Sequence, residues 1–259
     1  MSTFAEHNLT PPFSGTTTEM FYSASLGGLI LSTGLKVDDM ATDGNWDALG
    51  SIDGLGGVVA EGEYQFKNTY DMGAVFDVNL RRIIVSQPFQ PGDFWDDKID
   101  LIDTWPTIDA DNLDAVAALL YVRTTNTDPA GSPTYTDWQE FSNAIVRGRG
   151  FQFKTSATSE ETSQNILITE LGVDMELQQR MEQSDILTAT AGTNTITFED
   201  GFYDVPSIGI SAYDMVSGDY YAITNVTRTG FQIVFRDSGN TAVSRQFNYN
   251  AVGYGLEIT

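Results

Sequence analysis

Between Gly218 and Phe235 the chain reads GDYYAITNVTRTGFQIVF, and its apolar residues fall at alternate positions rather than at helical spacing. Val226, Phe231, Ile233 and Phe235 fit the inward face of two strands, and Thr227-Arg228-Thr229-Gly230 supplies the turn between them. A period of two puts successive side chains on opposite faces of a sheet, so such a segment must bury one face against a second layer. The same pattern recurs through most of the chain. It predicts an all-β protein.

The wider composition agrees. Aromatic residues make up 12% of the 259 residues, charged residues only 19%, and there are 24 glycines, a balance that suits strands and turns better than helices. Hydrophobic residues reach 41%, enough for a packed core. From 58 to 177 the sequence is strand-like: Ala74, Phe76 and Val78 alternate, then Ile83 and Val85. AALLYVRTT runs into the turn NTDPAGSPTY, and FQFKTSAT and NILITELGVDMEL follow. In the last of these Ile166, Ile168, Leu171, Val173 and Met175 are mostly two apart. Short strands at this spacing predict a β-sandwich. Residues 178–190 read as a connector with one helical turn. Residues 191–259 form a second sandwich, with Val243, Arg245, Phe247, Tyr249 and Ala251 on one face of its last strand.

Residues 1–57 are poorer in strand signals. Pro11-Pro12, a threonine tract and GSIDGLGG punctuate short apolar pieces, and the stretch holds seven acids and one lysine. It reads as an extended arm that orders against a neighbour. The final unit of about 70 residues, without a disulfide, is small for independent stability, which predicts an oligomer.

Charge and residue supply narrow the chemistry. The net charge of −23, from 36 acids and 13 bases, opposes binding to nucleic acid or anionic lipid. No apolar run is long enough to span a membrane, and the N-terminus lacks the layout of a signal peptide. With no cysteine there is no disulfide, thiolate metal site or cysteine nucleophile. His7, the single histidine, lies in the arm, reads as a surface residue, and cannot support a buried triad or a histidine-rich zinc site. GSIDGLGG lacks the strand, helix and Lys-Ser/Thr ending of a phosphate loop and reads as a joint. The acidic run 93–114 reads as a solvated loop pinned by Phe94, Trp95 and Trp105, with a calcium site at Asp109, Asp111 and Asp114 as the alternative. A pair of carboxylates in a glycosidase cleft has no positive sign in the sequence.

One polar and aromatic group stands out. Tyr213, Asp214, Asp219, Tyr220 and Tyr221 flank turns, and Arg228 lies on the hairpin turn, where side chains can meet a ligand. Aromatic faces stack on sugars while Asp and Arg bind hydroxyls. The alternative is that the tyrosines cover strand ends or contact neighbouring subunits.

The stretch ITFEDGFYDVPSIGISAYDMVSGDYYAITNVTRTGFQIVFRDSGNTAVSRQFNYNAVGYG resembles the end domain of tail-tip, host-specificity proteins of long-tailed bacteriophages, and is similar in layout to H-type lectins. The shared points are a strand with Phe198, the step from Phe202 to Pro206, Gly230-Phe231, and Ala251 to Gly253. Tyr249 stands where H-type lectins usually carry Trp. Residues 58–177 resemble the sandwich preceding that end domain and are similar in form to discoidin-type modules. The resemblance implies a virion tail-tip or fibre component, assembled in the host cytoplasm as a homotrimer. It would dock on other tail proteins through the arm and bind a host-surface receptor or glycan. It implies no catalysis and no cofactor. A purely structural virion subunit and a glycan-degrading tail enzyme are the alternatives.

Overall fold

The computed structural model describes residues 2–9, 11–33, 57–90 and 115–258, and among them every regular element is a strand. The seventeen strands are β1 (Ser2–Leu9), β2 (Thr16–Thr18), β3 (Met20–Ser23), β4 (Gly28–Leu31), β5 (Glu61–Gln65), β6 (Tyr70–Phe89), β7 (Val116–Thr125), β8 (Gln139–Glu140), β9 (Asn143–Ser159), β10 (Asn165–Leu177), β11 (Gln179–Gln183), β12 (Leu187–Ala189), β13 (Asn194–Thr197), β14 (Ser207–Tyr213), β15 (Tyr220–Thr227), β16 (Gly230–Arg236) and β17 (Arg245–Tyr254). The all-β fold class expected from the alternation is the one observed.

The first ten strands form one sheet with the order β2-β5-β9-β6-β10-β4-β3, to which β1 adds on β10, β7 on β9 and β8 on β7. Its two edges, β2 and β3, are joined by the single residue Glu19, whose φ of 51° turns the chain sharply, so the sheet curls nearly onto itself. Gly62 on β5 makes the closure possible. A Cβ there would lie 2.6 Å from the Glu19 carbonyl oxygen and 2.5 Å from Met20 Cγ. Inside sit Phe76, Val78 and Leu80 of β6, Leu120 and Val122 of β7, Phe151 and Phe153 of β9, and the apolar residues of β10.

Two features depart from the sequence expectation. Residues 13–31, read as part of an arm, enter this core: Phe13, Met20, Leu29 and Leu31 are buried. The buried Asn165 fixes them there. Its Oδ1 accepts from Leu31 N (3.0 Å) and its Nδ2 donates to Leu31 O (2.9 Å), so one side chain replaces a ladder pair. Val85, expected to alternate with Ile83, is exposed, and Ile84 instead packs on the core. Ile84 continues the even-numbered inward face of Phe76, Val78 and Leu80, and the register shift between Ile168 and Glu170 falls on β10, leaving the alternation of β6 unbroken.

The second unit has two sheets, β11-β17-β12 with β14 on the opposite side of β17, and β13-β16-β15. Phe231, Ile233 and Phe235 of β16 meet Phe247, Tyr249 and Ala251 of β17, with Phe235–Phe247 ring centroids 5.5 Å apart and Phe231–Tyr249 5.3 Å apart. Residues 178–190, expected as a connector with a helical turn, instead supply β11 and β12 along β17. The tail returns to the first unit, where Ile258 N donates to Val75 O (2.9 Å) and Tyr203 packs edge-on against Phe76.

Candidate functional site

Strand directions divide the second unit into two ends. Ala189, Tyr213 and Tyr220 lie beside Arg245, Gln246 and Arg236 at one end, whereas Thr227, Gly230, Ser207 and Tyr254 lie at the other. The second end abuts the first unit through the tail, so the first is distal. Its loops are 190–193, 214–219 and 237–244.

Five of the six residues singled out in the sequence gather at the distal end. Arg228 does not. It occupies the opposite hairpin turn, roughly 25 Å away along β15, and its Nη2 donates to Glu257 Oε1 (3.2 Å). Phe202 N donates to the Arg228 carbonyl oxygen, so this turn is built into the junction rather than presented to a ligand.

The two aspartates shape the loop. Asp214 takes φ 50°, and its Oδ1 accepts from Gln246 N (2.9 Å), pinning the loop start to β17. Asp219 Oδ2 accepts from Val216 N (2.8 Å) and from Arg245 Nε (2.7 Å), with Arg245 Nη2 at 2.6 Å. The Val216 N–H, reinforced by Arg245 against the cost of burial, holds this carboxyl below the usual carboxylate range. The Asp219 side chain is 3% exposed, so it serves the loop and not a surface ligand.

The tyrosines are the presented groups. Tyr213, Tyr220 and Tyr221 are 40%, 44% and 41% exposed. Tyr220 OH donates to Asn240 Oδ1 across to the 237–244 loop, and the Tyr221 ring leans on the buried Phe235 at 5.7 Å. Val216, at 63% exposure, stands beside them and was not singled out in the sequence. An apolar side chain within the turn DMVSGD was the signal. Arg245 was read only as a member of a strand face, yet it is the cation that anchors the loop. The result is a pre-formed aromatic and aliphatic surface on loops tied to the sheet by charge-assisted bonds.

Among the described residues no group of three or more His, Cys, Asp or Glu is placed to hold a metal, and no helix is long and apolar enough to cross a membrane. The calcium alternative at Asp109, Asp111 and Asp114, the aromatics Phe94, Trp95 and Trp105, and most of the glycine-rich joint lie outside the described residues; His7 lies on β1, whose side chains are likewise outside. Fold and site together define an all-β protein of two packed sheet units with an aromatic distal end. No protein-family model, curated protein or solved structure matches the chain.

Proposed function

We propose that the chain is a tail-tip or fibre component of a tailed bacteriophage that binds the host-cell surface through the distal end of its second sandwich, without catalysis. The observation that carries this reading is the half-exposed cluster of Tyr213, Tyr220 and Tyr221 at the ends of β14 and β15, with Val216 on the loop between them, a loop held by Asp214, Asp219 and Arg245. Exposed large apolar groups on a fixed frame are what recognition uses, because aromatic anchors dominate binding energy and a rigid loop loses little entropy. Anchoring to other virion proteins and assembly to a homotrimer belong to the same reading, and both rest on the resemblance of residues 58–259 to phage host-specificity proteins.

Labelled protein incubated with cells permissive for the parent phage tests the reading. Saturable retention on cells, with surface polysaccharide intact, is the expected result. Failure to bind would favour a structural subunit whose tyrosines contact neighbours, and loss of polysaccharide would assign a glycan-degrading enzyme.

A further inference from the structure

The outer face of one sheet of the second unit carries no charge. Phe247, Tyr249 and Ala251 of β17 turn inward, so Gln246, Asn248, Asn250 and Val252 turn outward. On β11 the charged residues Arg180 and Glu182 lie on the core side, which leaves Met181 and Gln183 outside. Across β17, Ile208, Ile210 and Ala212 of β14 pack on the core, and Gly209, Ser211 and Tyr213 look out. None of the outward residues of these three strands is Asp, Glu, Lys or Arg. The first unit differs: on its outer face Asp71, Asp77, Arg147 and Arg149 stand in ion pairs.

Three properties make this neutral face a contact surface. It is partly apolar: Met181 is 59% exposed and Tyr254 39%, with Val252 directly opposite Met181 on the neighbouring strand. It is flat, because the Asn250 side chain lies across Gly209, where a Cβ would stand 2.1 Å from Asn250 Oδ1. Its amides are also free to bond outward. The side chains of Gln246, Asn248 and Asn250 make no hydrogen bond among the described residues.

We infer that a second copy of the chain seats on this face with the same face of its own, about a two-fold axis. Charge selects that occupant. Two molecules of net charge −23 repel, and an acid near a two-fold axis would meet its own counterpart. A neutral surface is where such chains can touch. A basic partner would be better served by acids on the face, and the chain has 36 of them to place. The amides suit self-pairing, since each both donates and accepts and so matches an identical group on the partner. Size sets the strength. Ten residues of β17 span about 34 Å and three strands about 14 Å, a face of roughly 480 Å² in projection. That is below the ~800 Å² per partner of a standard interface, so the contact is reversible, with a Kd on the order of micromolar. It does not rest on the phage reading, because a homotrimer built through other surfaces would simply be doubled by it.

Sedimentation velocity of the full chain between about 1 and about 100 µM tests the contact. The mass should rise with concentration to an even number of copies. Association should tighten a few-fold as sodium chloride rises from about 0.05 to about 0.5 M, because the repulsion is screened and no charge pair is lost. Asn248→Asp, which sets like charges across the axis, should weaken association at least about tenfold. Thr224→Asp, the same charge change on the outer face of the other sheet, should leave it within about twofold. Met181→Ala removes exposed apolar area, and should weaken association a few-fold while melting with the parent under dilute, monomeric conditions. That variant decides the matter should Asn248→Asp fail to fold. A monomer at about 100 µM in high salt, an odd-numbered assembly, or looser association with salt would overturn the assignment. So would unaltered association in both Asn248→Asp and Met181→Ala, or equal weakening by Thr224→Asp.

Discussion

At the scale of single residues, the second unit depends on a polar network that the sequence hides inside a stretch reading as a connector. Glu182 accepts from Tyr249 OH (2.9 Å) and Glu199 N (3.1 Å) and pairs with Arg180, whose guanidinium lies 4.2 Å from the Phe202 ring centroid. Burial, then the bond to the Glu182 carboxylate, pushes the Tyr249 hydroxyl up to about 12. An unfolded tyrosine ionises near 10, so the contribution of this group is complete below pH 10 and is lost as pH rises toward about 12. Urea unfolding should show a fall of about 2 kcal/mol across that window. Tyr249→Phe should lose about 1 kcal/mol at neutral pH and show a shallower alkaline slope. An equal slope in both proteins would remove Tyr249 as the cause. The distal residues make a second comparison. Tyr220→Ala should weaken cell binding by roughly 1–4 kcal/mol with little change in melting. Arg228→Ala should instead lower the melting temperature and spare binding, because its partner is Glu257 at the junction. Side-chain type and a turn position alone placed Arg228 with the tyrosines; only strand direction separates them.

At the scale of elements, strands with apolar alternation were legible and strands with polar inward faces were not. Phe231, Ile233 and Phe235, or Phe247, Tyr249 and Ala251, announce their face because water drives every second residue inward. The three-residue step from Ile168 to Leu171 even records the bulge, since an extra residue is what keeps both on the core side. β11 was missed because its inward residues are Arg180 and Glu182, whose burial rests on mutual pairing rather than on hydrophobicity. β2 to β4 were missed because each is only three or four residues long, and β2 and β4 pair with β5 and β10, which lie farther along the chain. The consequence is testable. Phe13, Met20, Leu29 and Leu31 each stabilise the fold by roughly 1.5–3 kcal/mol through burial, together comparable with the whole stability of a domain. Removing residues 1–33 should therefore abolish the β-sheet circular dichroism of the first unit. Gly62→Ala, which sets a methyl group against the Glu19 carbonyl at the closure, should cost about 1–3 kcal/mol by thermal melting. Retention of full sheet content by the truncated chain would mean that the first core closes without these strands.

At the scale of the whole molecule, the net charge of −23 acts on every element at once. The bases are spent locally: Arg147 on Asp77, Arg149 on Asp71 and Asp128, Arg180 on Glu182, Arg245 on Asp219. The acids left over repel one another across the surface, and that repulsion favours expansion of the chain. Salt screens distant exposed charges over about 10 Å at 0.1 M, while the close pairs beneath partial cover are screened far less. Raising sodium chloride from about 0.01 to 0.5 M should therefore raise the melting temperature, because the long-range repulsion fades before the short-range pairing does. If surface ion pairs dominated instead, the same titration would lower it. Charge also sets the acid limit. Asp71 and Asp77 are held below the ordinary carboxylate range chiefly by their arginine partners, so their stabilising effect is present above about pH 3.8 and is lost as pH falls through their lowered values. Lowering the pH from neutrality reduces the net negative charge of the molecule, which relieves repulsion while these pairs persist. Stability in low salt should accordingly pass through a maximum on the acid side of neutrality and then fall below pH 3.8. A melting temperature that declined steadily from pH 7 downward would show that pairing outweighs repulsion throughout.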